Sequence, residues 1–581
     1  MLKGVSASPG FIVGPAFLVQ GEEDHYIERD IEAHEIPREI ERFEEALLAT
    51  RDQIRQVQRR VGEALGQEHA GIFEAHLMVV DDQSFLDEVD RGLKTHLLNV
   101  ETVVQMVAER YAEALSRVED DYLRERAADV RDVARRILRN LSGHKGATLA
   151  GIEEPSVVLA NDLAPSDTAV MDRRLALGLA TDLGSRTSHT AIMARALGIP
   201  AVVGLHDVST RVAQGDRVLL DGSKGLLVIH PSAERLRSYA DREVAQQVLQ
   251  AELAGLRDVP AETRDGYQVV LSANIELPGD VEAVLEHGCE GVGLFRSEFL
   301  YMAADHLPTE AEQERAYAAV AARLAPAPVI IRTLDLGGDK LTSHVQSPQE
   351  SNPFMGWRAI RFCLAHPEIF KVQLRAILRA SIHANVRMMY PMISRIEEVR
   401  AAHALLAECK DELRAEGIAF NEEIEVGVMI EVPSAALTAR LLAPLVHFFS
   451  LGTNDLVQYT LAVDRVNEHI ASLYQPTHPA IVHLVREVIE VSHQHGIWTG
   501  ICGEMAGNPV LAPLLLGLGA DELSVSPAAA PLVKKVLRGL HFSQAEALAE
   551  AALAAVEAEE VQQACHELVA GVAPDVLAFL E

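Results

Sequence analysis

Residues 426–465, VGVMIEVPSAALTARLLAPLVHFFSLGTNDLVQYTLAVDR, run from one apolar strand to the next with room for a helix between them. Val426–Ile430 and Phe448–Leu451 are the strands, and polar residues follow each: Glu431 after the first, Asn454 and Asp455 after the second. The same alternation fills the chain beyond Arg264. Further strands are read at Val269–Ala273, Gly291–Leu294, Val329–Thr333, Val386–Tyr390, Ile497–Ile501 and Glu522–Val525, eight in all, with helix-sized gaps except where two pairs run close. This pattern predicts a (β/α)8 barrel of the TIM type, in which function sits on the loops after the C-terminal ends of the strands.

Those ends carry Arg296, Arg332 with Asp335, Glu431, Asn454 with Asp455, and Cys502 with Glu504. Any one of them alone reads as a solvated loop charge or a cap, but five strand ends out of eight are hard to read that way. Glu431 and Asp455 are two hard oxygen ligands from adjacent strand ends. They are too few for a calcium cage and suited to Mg²⁺, which keeps waters and takes further ligands from a substrate. Arg296 and Arg332, with Arg358 in NPFMGWRAIR and Arg465 in AVDRVNE, supply more planar cationic forks than one carboxylate needs. They suit a small dianion or trianion bearing both phosphate and carboxylate. Cys502 is the one thiol at a strand end; it can deliver a proton to carbon while close to neutral, although a buried inert cysteine is the commoner state.

A second informative stretch lies upstream, at 184–204: GSRTSHTAIMARALGIPAVVG. A glycine opens the loop, Ser188 is a good N-cap, Ile192, Met193, Ala196 and Leu197 recur at helical spacing, and Gly198 with Pro200 ends the helix. His189 then falls in the first turn, where unpaired N–H groups and the positive end of the helix dipole disfavour imidazolium and favour an anion. A neutral, nucleophilic histidine so placed is suited to carrying a phosphoryl group. The plain alternative is a capped helix with a histidine that only hydrogen-bonds.

Around these stretches the chain changes texture several times. Residues 1 to about 20 read as short strands broken by Pro9, Gly10, Gly14 and Pro15. From Ile36 to about Leu141 the apolar positions, among them Phe43, Leu47, Ile54, Val89, Val107, Val133 and Ile137, keep helical spacing and predict an inserted helical bundle. Such an insertion can offer a surface to a partner or merely brace the fold. Strands resume at Ser156–Leu159, Leu175–Ala180, Ala201–Val203 and Arg217–Leu219, so the opening segment is expected to pack with residues 147–230. Pro231 to Leu256 reads as one long polar helix and is the best linker candidate.

At 581 residues the chain has length for about four domains. Lys and Arg number 52 against 85 Asp and Glu, a net charge of −33, which argues against nucleic acid or an anionic membrane as partner and allows a basic protein. The five cysteines are widely spaced, with no CxxC, and indicate neither a disulfide framework nor a zinc site. There is no signal-peptide core and no run of about 18 apolar residues, so a cytoplasmic soluble protein is expected.

The motifs together resemble enzyme I of the bacterial phosphoenolpyruvate sugar phosphotransferase system, nearly end to end. The resemblance covers ASPG at the start, DLAPSDT at 162–168, the stretch at 184–204, GLFRSEFLYM at 293–302, IRTLDLGGDK at 331–340 and NPFMGWRAIR at 352–361. It continues through GVMIEVPSA at 427–435, FFSLGTNDLVQYTLAVDR at 448–465, LYQPTHPA at 473–480 and GICGEMAG at 500–507. It implies a multidomain α/β protein. A swivelling phosphohistidine domain would comprise 1–20 and 147–230, an all-α domain for docking the small protein HPr 21–146, a linker helix 231–260, and a (β/α)8 barrel that binds phosphoenolpyruvate and dimerises 261–581. It implies His189 as the phosphohistidine, Thr168 as the hydroxyl that orients it, Arg296, Arg332, Asn454 and Arg465 as phosphoenolpyruvate ligands, Glu431 and Asp455 as Mg²⁺ ligands, and Cys502 as the acid that protonates enolpyruvate. Two residues depart from the family's pattern: Ser185 and Val466 stand where glycine is more usual, and the second bears on the loop carrying Arg465.

The implied reaction moves the phosphoryl group of phosphoenolpyruvate to His189, releases pyruvate, and passes the group to a histidine of HPr, with the histidine domain moving between two sites. Pyruvate phosphate dikinase and phosphoenolpyruvate synthase share these motifs but need an ATP-binding domain of roughly 200 residues or more, and no Gly-rich phosphate loop is present. A nitrogen-linked regulatory paralogue, which usually carries an added N-terminal sensor domain, and a catalytically dead scaffold that only binds partners are the alternative functions.

Overall fold

The structure is a computed structural model, describing the chain apart from residues 20–27, 66–71, 117–120, 143–151, 153, 162, 164–170, 172, 173, 185–187, 303–305, 338–349, 351, 384, 466, 468 and 581. Thr168, Ser185 and Val466 therefore lie outside the described residues. The chain divides into two compact units, Met1–Ala240 and Asp241–Glu581.

In the first unit an eight-stranded mixed sheet has the order β1-β8-β7-β3-β4-β5-β6-β2. Its strands are β1 (Leu2–Lys3), β2 (Val5–Ser8), β3 (Phe11–Val19), β4 (Ser156–Ala160), β5 (Ala176–Thr181), β6 (Ala201–Val203), β7 (Arg217–Asp221) and β8 (Leu226–Ile229). The chain leaves this sheet after β3 and returns at β4, which pairs parallel to β3. Between them lie the helices Ile36–Leu65, Ile72–Val80, Gln83–His96, Val100–Ser116 and Asp121–Ser142. They bury Phe43, Leu47, Ile54, Phe85, Val89, Val103, Val107, Val133 and Ile137 in a core of their own. The helical spacing in the sequence is what puts these side chains on one face of each helix.

Two details of the sheet differ from the sequence reading. The opening segment is not a set of broken strands after Gly10, for β3 runs unbroken for nine residues through Gly14 and Pro15. It changes partners there: Phe11–Pro15 pair antiparallel with β7 and Ala16–Val19 pair parallel with β4. The Ala16 N–H donates to the carbonyl of Asp216 beside β7. By strand alternation the nitrogen of Pro15 faces the β4 side, where pairing starts only at Ala16, so the missing N–H costs no ladder bond. The second difference is β8, whose apolar run follows the turns at 221–225 and pairs antiparallel with both β7 and β1.

One continuous helix, Ala233–Ala254, spans the division between the units. The second unit is a closed barrel of eight parallel strands: β9 (Val270–Ile275), β10 (Val292–Arg296), β11 (Val329–Arg332), β12 (Val386–Tyr390), β13 (Val426–Ile430), β14 (Phe448–Leu451), β15 (Trp498–Ile501) and β16 (Glu522–Val525). β16 pairs with β9 to complete the ring. Four of these strands coincide with the sequence reading and the other four differ by one or two residues at their ends. Their runs were legible because parallel strands covered by helices are apolar on both faces.

Candidate active site

The barrel's registers bring the polar strand ends to one level. Arg296 pairs across with Arg332 on the neighbouring strand. Ile430 pairs with Leu451, and Leu451 with Ile501, so Glu431, Gly452 and Cys502 follow at matching heights on three adjacent strands. Gly452 has to be small, since a Cβ there would lie 2.7 Å from Glu431 Oε2. Asp455 sits in the first turn of the helix Thr453–Leu461 that leaves β14.

A chain of alternating charges crosses the mouth. Arg332 lies 3.1 Å from Glu298 Oε1 and 2.9 Å from Asp335 Oδ2. Arg358 donates to Asp335 Oδ1 through Nη2 at 2.7 Å and Nε at 3.1 Å, and its Nη2 is 3.6 Å from Asp455 Oδ2. Burial alone would weaken the charged form of both guanidinia. Glu298 and Asp335 outweigh it for Arg332, and Asp335 and Asp455 do so for Arg358, so both are held above the ordinary arginine range. Each therefore presents a fixed positive charge to the mouth.

The carboxylates respond the other way. Burial, then the charges of Asp455 and Asp335, push Glu431 up to about 8, although its Oε1 accepts the Met392 N–H at 2.6 Å. Asp455 is raised too, by burial first, against the pull of Arg358. Acid oxygens crowded in this way are relieved by a divalent cation. No group of three or more His, Cys, Asp or Glu is arranged to hold a metal among the described residues. Two carboxylates by themselves are fewer ligands than a divalent cation takes.

The remaining groups surround a cavity of about 720 Å³ lined by Asn274, Glu276, Arg296, Asn454, Cys502 and Glu504 among others. Arg296 donates to Glu276 at 2.6 Å. Glu504 accepts from Asn454 Nδ2 at 3.0 Å and from Arg465 Nη1 at 3.2 Å. Cys502 is buried, and that burial pushes its thiol up to about 11 against a hydrogen bond from Ser450. Every barrel residue singled out from the sequence is thus at this mouth. Sequence reasoning missed Glu298, Asn274 and Ser450. The signal for Glu298 was a lone acid two residues beyond Arg296 in GLFRSEF; Asn274 and Ser450 are ordinary polar residues in apolar strands, and only closure of the ring gives them partners.

Gly503 fixes the turn after Cys502. A Cβ there would run into the hydroxyl and backbone nitrogen of Thr453, which is fully buried. Gly503→Ala is expected to cost about 1–3 kcal/mol of stability as an overpacked site, read by denaturant unfolding of the whole chain.

His189 belongs to the first unit, at the start of the helix His189–Leu197. The Ser188 hydroxyl caps that helix by accepting the Ala191 N–H, and Gly198 closes it at φ 65°. The side chain of His189 is outside the described part of the structure.

The family described as "PEP-utilising enzyme, N-terminal" matches residues 3–126, "PEP-utilising enzyme, mobile domain" residues 152–225, and "PEP-utilising enzyme, PEP-binding domain" residues 250–542. The chain is 43% identical over 569 residues to the phosphoenolpyruvate-protein phosphotransferase of Listeria innocua serovar 6a, covering 98% of this chain and 99% of that protein. It is equally similar, over the same shares, to the protein of that name from Haemophilus influenzae. Among solved structures it is similar to an NMR solution structure of Enzyme I, at 43% identity and a TM-score of 0.38, covering 42% of this chain and 100% of that one.

Proposed function

The chain belongs to the phosphoenolpyruvate-protein phosphotransferase family, and on that premise we propose that it moves the phosphoryl group of phosphoenolpyruvate to its own His189, releases pyruvate, and passes the group to a histidine of HPr. This is the first step of the sugar phosphotransferase system. The observation that carries the reading is the convergence, at one barrel mouth, of fixed guanidinium charges, two crowded carboxylates and a buried protonated thiol.

In this reading Arg296, Arg332, Arg358, Asn454 and Arg465 hold the phosphate and carboxylate of the substrate. Glu431 and Asp455 would hold Mg²⁺, which when bound neutralises phosphate charge as a Lewis acid. His189 attacks phosphorus in line, favoured by a helix N-terminus that disfavours its own protonation, and Thr168 orients the ring. The bridging P–O bond breaks with its electron pair left on the enolate, and the Cys502 thiol gives its proton to the methylene carbon. Histidine and substrate clamp belong to different compact units, and in this reading transfer takes place when the two meet.

The same reading assigns residues 21–146 to HPr docking, 1–20 with 147–230 to the histidine domain, 231–260 to a linker, and 261–581 to the substrate barrel and a homodimer contact. No helix among the described residues is long and apolar enough to cross a membrane. A cytoplasmic setting belongs to the proposal. Transfer of labelled phosphate from phosphoenolpyruvate to the purified chain, and then to added HPr, tests it; a chain that takes no label in the presence of Mg²⁺ would refute it.

The metal gives a separate expectation. With two protein carboxylates as its only ligands, Mg²⁺ should bind weakly alone and more tightly with substrate, each raising the other's affinity by one factor. Calorimetry with each ligand in the presence and absence of the other checks this; equal affinities would mean a preformed site.

A further inference from the structure

Cys502 is held from two sides by residues that the proposed roles leave unused. Its sulfur lies 3.3 Å from the Ser450 hydroxyl, which donates to it, and 3.6 Å from the carbonyl of Leu451, to which the thiol donates. Ser450, on β14, is buried, as is Cys502. On the other side Asn274, at the end of β9, donates through Nδ2 to the carbonyl of Cys502 at 3.2 Å and of Ser524 at 3.1 Å, while its Oδ1 accepts the Ser524 hydroxyl at 2.7 Å. Asn274 thus uses both donors and its acceptor to tie three strand ends together. Turning the sulfur away would break its bonds to the Ser450 hydroxyl and the Leu451 carbonyl, while Asn274 fixes the backbone that carries it.

We propose that Ser450 is a positioning residue for the proton transfer to carbon: its hydroxyl donates to the Cys502 sulfur and stabilises the charge left there. This rests on the reading of Cys502 as the acid. As the S–H bond breaks, its electron pair stays on sulfur and a C–H bond forms with the electron pair of the enolate; no electrons change hands otherwise. The thiolate so formed is buried, where an ion without a donor is costly. Arg332 and Arg296 face it with positive charge and Glu431 opposes them when ionised, and Glu276 and Glu504 line the same cavity. Ser450 is the group that donates directly to the sulfur among the described residues. In the reverse direction the same hydroxyl stabilises the thiolate that takes a proton from the methyl of pyruvate.

The test compares Ser450→Ala, Ser450→Thr and Cys502→Ala in the full chain. Removing a hydrogen bond to a charged group should slow deuterium entry from solvent into pyruvate by about ten- to a hundred-fold in Ser450→Ala. Phosphoenolpyruvate affinity by calorimetry should stay within about two-fold, because Ser450 touches no proposed substrate ligand. At fixed alkaline pH, alkylation of Cys502 by iodoacetamide, followed by peptide mapping, reads the thiolate fraction and should fall at least several-fold in the alanine variant. Ser450→Thr keeps the donor and should leave alkylation near the wild-type rate. Unchanged or faster alkylation in Ser450→Ala would show a merely structural role and overturn the inference, as would a loss in the threonine variant equal to that in alanine. If Cys502→Ala exchanges deuterium at the wild-type rate, the acid reading itself falls and this inference with it.

Discussion

Replacement of His189 by alanine is expected to abolish covalent labelling by phosphoenolpyruvate while leaving its binding with Mg²⁺ unchanged. The separation follows from the fold: His189 opens a helix in the unit Met1–Ala240, whereas the arginines and carboxylates of the mouth lie in Asp241–Glu581. Alanine is also the best helix former, and the Ser188 cap, whose hydroxyl accepts the Ala191 N–H, does not involve residue 189. The helix should therefore survive the change and only the nucleophile be lost. Calorimetry for binding and acid-free detection of labelled protein would check the two halves. Stable labelling of the variant at another residue would sink the assignment.

Cys502→Ala should act on the other half of the chemistry. It removes no phosphate or carboxylate contact, so phosphoenolpyruvate should still bind, while turnover to pyruvate should fall by about 10²- to 10⁴-fold, the usual contribution of a general acid. Return of label from phosphorylated His189 to pyruvate should fall with it, since the reverse step needs the thiolate as base. The pH dependence has a definite sign. Burial raises this thiol to about 11, so the acid form is complete through the neutral range and is lost only as the pH climbs toward that value. Carbon protonation in the wild type should be flat with pH until well into the alkaline range. A near wild-type rate in the alanine variant would mean that water or Glu504 is the acid, whereas a fall near the ordinary thiol value would mean that the thiol is the acid but is not raised by its burial.

The barrel could be read from residues because its strands are buried on both faces: stretches such as VGVMI and FFSL are apolar without alternation and sit between segments long enough for a helix. The bundle could be read because Phe43, Leu47, Ile54 and their successors recur at helical period, and a helix must bury such a face. Arg296, Arg332, Glu431 and Cys502 were visible because each immediately follows an apolar strand or lies at its end, where a barrel places its chemistry, and Asp455 because it opens the helix that leaves such a strand. The helix at 189–197 was visible from its cap and its terminal glycine.

Other features depend on partners distant in sequence. Whether Pro15 breaks β3 depends on which neighbour each half of the strand meets, and only the assembled sheet shows pairing switch from β7 to β4 at that residue. Glu298 becomes the partner of Arg332 through the joining of β10 to β11, and the Met392 N–H reaches Glu431 from the loop after a different strand. Ser450 and Asn274 lie 52 and 228 residues from Cys502, and nothing local to either marks it. Sequence by itself determined the periodicities, the caps and the residue types at the strand ends, since those follow from local burial and backbone geometry. Which hydroxyl faces the thiol, which acid balances each arginine, and which carboxylates crowd one another were decided only by closure of the ring, which sets distances between groups that the chain leaves far apart.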